Sequence, residues 1–346
     1  MTLGLVARMD QQGLAFQSLA LARMLDPAKA MIIDSRPFNG PNVAQHPERF
    51  AGYDSMITNG FPTSEECHRF LDGLTHVLTC ETFYNYELLR EAQRRGIKTY
   101  LQLNFEFADH LTDRDMPLPT KFLAPSLWKL DVMQRRFGDR VVLLPPPTFP
   151  RDFAQARSAN HRRTGRRRFL HIVGKPAHGD RNGTMLLMYA MQRSRADFEL
   201  VVKSQEPLQP IIKDKRITWD SSAPDDQWRL YAGFDALIYP RRYGGLALPC
   251  NEALTSGLPV IMSNTSPNDT ILPADWLVPG AFNGGFTSRV PIPYFNVNIA
   301  ALAQKLDQWA AMPDELLDQH KARAIESSRQ FDPEVLRPQY EAVFRQ

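Results

Sequence analysis

The stretch YPRRYGGLALPCNEALTSGLPVI runs from Tyr239 to Ile261. Its first residues close an apolar strand pattern, FDALIYP. Its middle is a helix pattern ended by Gly257, and its tail opens a second strand, GLPVIMS. Strand, loop, helix and strand in that order make a βαβ unit, which requires a parallel sheet. Between strand and helix, Gly244 and Gly245 remove two side chains, so backbone N–H groups can approach a ligand closely. The loop feeds a helix N-terminus, where unpaired N–H groups and the helix dipole favour an anion. A phosphate or diphosphate is therefore the predicted occupant. Glu252 follows in the first turns of the helix. It fits two readings: an acceptor of hydrogen bonds from sugar hydroxyls, or an acid placed there by the dipole.

Working outward, the same alternation fills the chain. LGLVAR (Leu3–Arg8), AMIIDS (Ala30–Ser35), SMIT near Ser55, HVLTC (His76–Cys80) and KTYLQL (Lys98–Leu103) read as strands, with helices such as LAFQSLALARML and YELLREAQRRG between them. KFLAPS leads to a further helix, SLWKLDVMQRRFG, with Ser126 as its expected N-cap. After Pro145–Pro147 the pattern restarts with RRFLHIVGK, then NGTMLLMYAMQRS, FELVVKS and RITWD. Apolar strands alternating with helices imply parallel sheets covered on both faces. The boundaries follow: residues 1–147 as one Rossmann-like domain, 148–166 as a Pro/Arg-rich linker, 167–328 as a second such domain, and 329–346 as a C-terminal helix.

Composition excludes several classes. Of 346 residues, 43% are hydrophobic and 23% charged, which suits buried cores rather than disorder. Three cysteines without paired spacing give neither a disulfide framework nor a zinc knuckle and fit a cytoplasmic location. No apolar run approaches a membrane span, so stable membrane association is not expected. Net charge is +3, yet seven arginines and one acid between Arg151 and Arg168 make that segment +6. Such a run fits a polyanionic partner or a solvated linker equally well.

Residue by residue, the opening stretch resembles the signature of retaining glycosyltransferases of the GT-B architecture, glycosyltransferase family 4 in particular. Leu248-Pro249, Glu252-Ala253 and Gly257-Leu258-Pro259-Val260 stand in the register of that signature. The resemblance implies an α/β GT-B fold, two Rossmann-like domains with parallel sheets facing a central cleft. It implies that Glu252 holds the ribose of a nucleotide sugar, with a UDP-sugar as the expected co-substrate, and that Gly244, Gly245, Leu246 and Ala247 face the diphosphate and sugar. The family's first glutamate falls on Gly244, so the identity of the sugar does not carry over.

A second motif tests the resemblance. HIVGKPAHGDRNGT places Lys175 after Val173-Gly174 and Arg181 six residues later. Family members carry a basic pair at this spacing, with Arg first and Lys second. Two cations on a pyrophosphate stabilise the charge that develops on a leaving nucleoside diphosphate, in the role a metal plays elsewhere. Lys175 and Arg181 are accordingly the expected catalytic cations, with no metal and no permanent cofactor. In the N-terminal half, Asp10 and Gly13 occupy the first βα loop, where the family sets a glycine-containing loop beside the donor phosphate and the acceptor, which makes Gly13 a candidate donor contact. Asp10 fits a catalytic role or an N-cap. Asn104 and Glu106 follow the strand ending at Leu103 and are candidate acceptor contacts. Asp113-Arg114-Asp115 has the form of an Asp-x-Asp metal motif but sits in a Pro-rich loop, and is read as solvated.

Several stretches, among them ARMDQQGLAFQSLALARML, NFEFADHL and LPPPT, resemble glycosyltransferases of tailed bacteriophages. That likeness implies transfer to a hydroxymethyl pyrimidine in double-stranded DNA, with Arg162 and Arg163 of the basic run against phosphates. Two alternatives stay open. One is a cell-envelope glycosyltransferase docked through the basic helix SLWKLDVMQRRF. The other is a non-catalytic sugar-nucleotide or DNA-binding module.

Overall fold

The computed structural model describes residues 1–346 apart from 162–164, 175–178, 223 and 225. The chain divides into two compact units. Unit 1 holds Met1–Pro147, Ser288–Val290 and Pro333–Gln346, and unit 2 holds Thr148–Thr287 and Pro291–Asp332.

Unit 1 is built on seven strands: β1 (Leu3–Arg8), β2 (Lys29–Ile33), β3 (Ser55–Thr58), β4 (His76–Cys80), β5 (Lys98–Gln102), β6 (Lys121–Ala124) and β7 (Val141–Leu143). They pair in the order β3-β2-β1-β4-β5-β6-β7, every pair parallel. The central strands are buried on both faces, which is why their sequences are continuous apolar runs. Helices α1 (Gly13–Leu25), α2 (Arg36–Asn39), α3 (Ser64–Phe70), α4 (Tyr86–Arg94) and α5 (Leu130–Phe137) connect them. The strand order reverses between β1 and β4. In open parallel sheets that switch point opens a crevice at the carboxyl ends of the strands, where ligands bind.

Helix α5 starts later than its sequence suggests. Lys129 adopts a left-handed φ of 58°, and Ser126 Oγ accepts the Trp128 N–H at 3.3 Å in the preceding turn. Trp128 is buried edge-on against Phe105 at 5.5 Å, and Met133 is buried as well. These side chains are core, not a face offered to a bilayer. Among the described residues, no helix is long and apolar enough to cross a membrane.

Unit 2 begins with a short 3-10 turn and α6 (Ala154–His161). Its six-stranded parallel sheet has the order β10-β9-β8-β11-β12-β13. The strands are β8 (Arg168–Gly174), β9 (Glu199–Ser204), β10 (Ile217–Asp220), β11 (Ala236–Tyr239), β12 (Val260–Ser263) and β13 (Leu277–Val278). Helices α7 (Thr184–Arg193), α8 (Leu248–Thr255), α9 (Asn268–Ile271), α10 (Ile299–Ala310) and α11 (Asp314–Ser328) accompany it. Here the order reverses between β8 and β11. An antiparallel hairpin, β14 (Gly280–Thr287) with β15 (Pro291–Val297), follows the sheet.

Within the stretch expected to be a Pro/Arg-rich linker, residues 150–161 are helical. Asn160 on α6 explains the ordering: its amide donates to Tyr231 O (3.0 Å) and Ser256 O (2.9 Å) and accepts from the N–H groups of Gly233 and Phe234. All its hydrogen-bonding capacity is used inside unit 2. Phe153 joins the same core. The last helix, α12 (Pro333–Arg345), belongs with unit 1. There Tyr340 Oη accepts from Gln102 Nε2 at 2.8 Å, and Phe344 packs on Tyr100 at 4.6 Å.

Candidate functional site

In unit 2 the two loops singled out from sequence flank the switch point, one after β8 and the other after β11. The first leaves β8 through a register shift between Ile172 and Gly174, where Gly174 takes a φ of +71°. Bulges of this kind re-aim a chain at strand ends. Lys175 lies outside the described residues. The chain returns at Gly179 and turns into α7. Asp180 receives the Met185 N–H on both carboxylate oxygens at 3.2 Å, and Asn182 Nδ2 donates to Ile172 O and Val173 O. Gly183 has a φ of +75°, and a Cβ there would stand 2.1 Å from Pro240 O. The two loops thus touch through bare backbone.

Buried His171 ties the same place together. Its Nδ1 lies 2.8 Å from Ile238 O and its Nε2 2.8 Å from Thr184 Oγ1. The carbonyl can only accept, so Nδ1 carries the proton and Nε2 accepts from the threonine. Burial lowers the imidazole to about 4, which keeps that neutral tautomer.

The second loop brings Arg181 and Arg241 onto Gly244. With a φ of +108°, a Cβ at Gly244 would lie 2.3 Å from Arg181 Nη2 and 2.4 Å from Arg241 Nη2. The volume that the family's glutamate would fill is occupied by two guanidinium groups. Arg181 also lies over the Tyr243 ring at 5.2 Å, and its carbonyl accepts the Arg242 N–H at 2.8 Å. Arg242 is anchored to Asn296 Oδ1 at 2.8 Å and to Gly179 O at 3.2 Å. Gly245 is buried, and Leu246 and Ala247 are partly exposed as they lead to α8, whose N-terminus carries Pro249. Arg241 had no motif to mark it in sequence. Only the close approach to Gly244 reveals it.

Glu252 lies on α8, 7% exposed. One carboxylate oxygen accepts from Gln227 Nε2 at 2.6 Å and the other from the Tyr231 hydroxyl. Burial pushes the carboxyl up to about 7, against the Tyr231 hydrogen bond, which lowers it. Dipole preference alone does not explain this side chain, since a helix-terminal acid gains nothing from being buried. Gln227 and Tyr231 lie more than twenty residues upstream, and no sequence pattern links them to Glu252.

Unit 1 gathers its candidates at its own switch point. Asp10 is wholly buried. It pairs with Arg8, accepts the Ser35 hydroxyl at 2.7 Å and takes the Gln12 N–H at 2.9 Å. These partners make Asp10 hold the loop in shape. It does not cap α1, because the N-cap is Gln12. Gly13 is the exposed first residue of α1. Glu106 is buried, and Asn104 is half-buried. Asp113, Arg114 and Asp115 are exposed, as a solvated loop requires. Arg162 and Arg163 lie outside the described residues.

Glu81, directly after β4, is another residue that no sequence pattern marks. Its φ is +68°, and Thr82 N–H donates to Cys80 O at 2.8 Å across it. That is a γ-turn of the rare, strained, positive-φ kind. A second follows, centred on Tyr84 at φ +61°, with Asn85 N–H on Phe83 O at 2.7 Å. Burial raises the Glu81 carboxyl to about 7; Arg8, Arg289 and a hydrogen bond from Asn104 oppose the rise and Glu106 adds to it.

No family model and no curated protein matches this sequence. Solved structures do match it along its whole length. A sucrose-phosphate synthase from Thermosynechococcus elongatus aligns over 100% of this chain and 98% of its own, at a TM-score of 0.65 and 14% identity. The Anabaena protein HepE, solved with UDP and glucose, aligns over 100% and 99% at 0.67 and 10%. A glycosyltransferase from Rickettsia africae aligns over 99% and 97% at 0.67 and 11%. The seven- and six-stranded parallel sheets with their helices, matched end to end in this way, define the GT-B fold.

Proposed function

We propose that the chain is a glycosyltransferase that takes a sugar from a nucleotide sugar, with UDP as the nucleotide to test first. One observation carries the reading: at the switch point of unit 2, Arg181 and Arg241 converge on the bare backbone of Gly244, one turn of chain ahead of α8. Two cations, unencumbered N–H groups and a helix N-terminus together suit a diphosphate. Glu252, held by Gln227 and Tyr231, is the acceptor for ribose hydroxyls, since a carboxylate has sites for about four hydrogen bonds and two are taken. The solved Anabaena neighbour contains UDP and glucose, which supports the choice of donor.

The chemistry follows from the cations. As the bond from the anomeric carbon to the phosphate oxygen breaks, negative charge grows on the departing diphosphate. Arg181, Arg241 and Lys175 stabilise that charge without a metal. Retention follows if the acceptor oxygen arrives on the face the phosphate leaves, the phosphate oxygen taking the acceptor's proton. Gly174, Gly245, Leu246 and Ala247 shape the donor pocket, and Asn104 and Glu106 belong to the acceptor side.

The acceptor is proposed to be a hydroxymethyl pyrimidine in DNA. The basic run supports this less than its charge suggested. Among its described members, Arg157 is bound to Thr255 O, Arg166 to Asp197, Arg167 to Asp314 and Arg168 to Glu199, while exposed Arg151 lies 3.8 Å from Asp152. The reading therefore rests on the phage resemblance. Incubating the protein with UDP-sugars and hydroxymethylated DNA, then weighing the digested nucleosides, tests it. A sugar-sized mass gain supports it, and donor turnover without gain moves the acceptor elsewhere. Arg181→Ala is expected to lower kcat by about 2–4 kcal/mol of barrier, as for other groups that stabilise developing charge. Unchanged turnover would remove Arg181 from the reaction.

A further inference from the structure

We propose that Glu81 is the carboxylate that receives the hydrogen bond of the acceptor's hydroxyl as it binds and positions its oxygen, the hydroxyl then turning its proton to the departing phosphate oxygen as transfer proceeds. The inference rests on the glycosyltransferase reading above and deepens it on the acceptor side.

Position comes first. Glu81 stands at the carboxyl end of β4, beside the end of β1, where the order of the unit 1 sheet reverses. Open parallel sheets bind ligands at that place. Asp10 is on the β1 side of the same point, but it is sealed off by Arg8 and Ser35. Glu81 is half-buried, so one side of it remains open.

Backbone comes second. A glutamate gains nothing from left-handed backbone, and glycine would take φ +68° without cost. Two successive γ-turns hold Glu81 and Tyr84 in that region. Strain of this kind persists where a side chain must point in one direction. A structural role would be met by glycine. A carboxylate at this position is explained by what it binds.

The surroundings come third. Arg8 on β1 and Arg289 bring positive charge, Glu106 brings negative charge, and Asn104 hydrogen-bonds the Glu81 carboxylate. Asp10 faces Arg8, Asp109 faces Arg289, and the neighbouring Cys80 and Tyr84 are neutral near pH 7. Asn104 stands beside Glu81 and opposes the rise of its carboxyl, and its Oδ1 has no partner among the described residues. A hydroxyl carries one O–H to donate, so it can supply the Glu81 carboxylate with the donor it lacks on its open side. Ionised Glu81 holds such a hydroxyl more strongly than the protonated acid does. Transfer should therefore rise as pH increases through about 7, where burial has placed this carboxyl.

UDP-glucose with water as acceptor provides the test, UDP release being followed from pH 5 to 9. Glu81→Gln is expected to lower kcat about 10²-fold, the cost of a misplaced reacting group. It should leave KM for UDP-glucose within about twofold and abolish the rise with pH. Glu81→Gly is the second variant. It relaxes the turn, so it should raise Tm while losing as much kcat as the glutamine variant. Unchanged kcat with an unchanged pH profile in either folded variant overturns the proposal. So does an equal loss in kcat and in donor affinity. Wild-type protein that neither binds UDP by calorimetry nor releases it would instead overturn the glycosyltransferase reading.

Discussion

At Gly244 the absence of a side chain is a packing fact. The site is filled from two directions by Arg181 and Arg241, and the backbone is at a φ that β-carbons resist. Where a family glutamate would sit among donor contacts, this chain has concentrated positive charge. Glu252 shows the opposite economy, an acid sunk below the surface. Its carboxyl sits near 7 rather than 4.5 because burial penalises the charge. A carboxyl raised on folding contributes stability that is full below about 4.5 and lost as pH rises through about 7. The shift corresponds to about 3 kcal/mol. Glu252→Gln removes this term and keeps an oxygen to accept from Tyr231. Relative to wild type, the variant is expected to gain about 3 kcal/mol between pH 4.5 and 8 in urea unfolding. Glu81 contributes its own slope to both proteins and cancels in the difference. Parallel pH curves would place the Glu252 carboxyl in the ordinary carboxylate range.

Elements were legible where burial wrote them into sequence. β1 and β4 begin and end at the residues their apolar runs suggest, because a strand covered on both faces has no polar positions to blur it. α6 was not legible: prolines and arginines dominate residues 145–168, and the ordering comes from Asn160 bonding to segments seventy and more residues away. The β14–β15 hairpin was missed for another reason. Glycines and prolines interrupt its alternation, and it leaves Phe282 67% exposed. The site divides the same way. Glu252 and Arg181 are singled out as candidates by their register in the family-like motifs. Arg241, Gln227, Tyr231 and Glu81 are not, since contact across the sheet and a strained turn leave no local pattern. The junction of the two loops depends on Gly183, and it can be tested. Gly183→Ala puts a methyl group into Pro240 O and holds it at φ +75°. Left-handed backbone and overpacking together should cost about 3 kcal/mol, measured by thermal or urea unfolding. A loss under about 1 kcal/mol would mean that the loops separate easily.

For the whole molecule, the two units differ in what a nucleotide should do to them. Each has its own sheet and its own switch point, and the converging arginines belong to unit 2 alone. Nucleotide binding stabilises the conformation that holds it by RT ln(1 + [L]/Kd) and nothing else. With UDP at 100 times its Kd, amides that exchange only when the site is lost should slow about 100-fold, equivalent to about 2.7 kcal/mol. Hydrogen exchange followed by mass spectrometry resolves where that occurs. Protection is expected first in peptides covering residues 168–174, 179–187 and 239–255, the strand ends, loops and helix starts around Gly244 and Glu252. Peptides of β1 to β3 should gain least, because the converging arginines and Glu252 all lie in unit 2. The strength of the experiment is that it needs no acceptor, so it separates donor binding from every question about what is glycosylated. Protection centred on residues 1–60 would move the nucleotide to unit 1 and strip Arg181, Arg241 and Glu252 of their proposed roles. Protection centred on the loops after β8 and β11 would leave the acceptor as the one partner still to be found, with Glu81 marking where it should meet the protein.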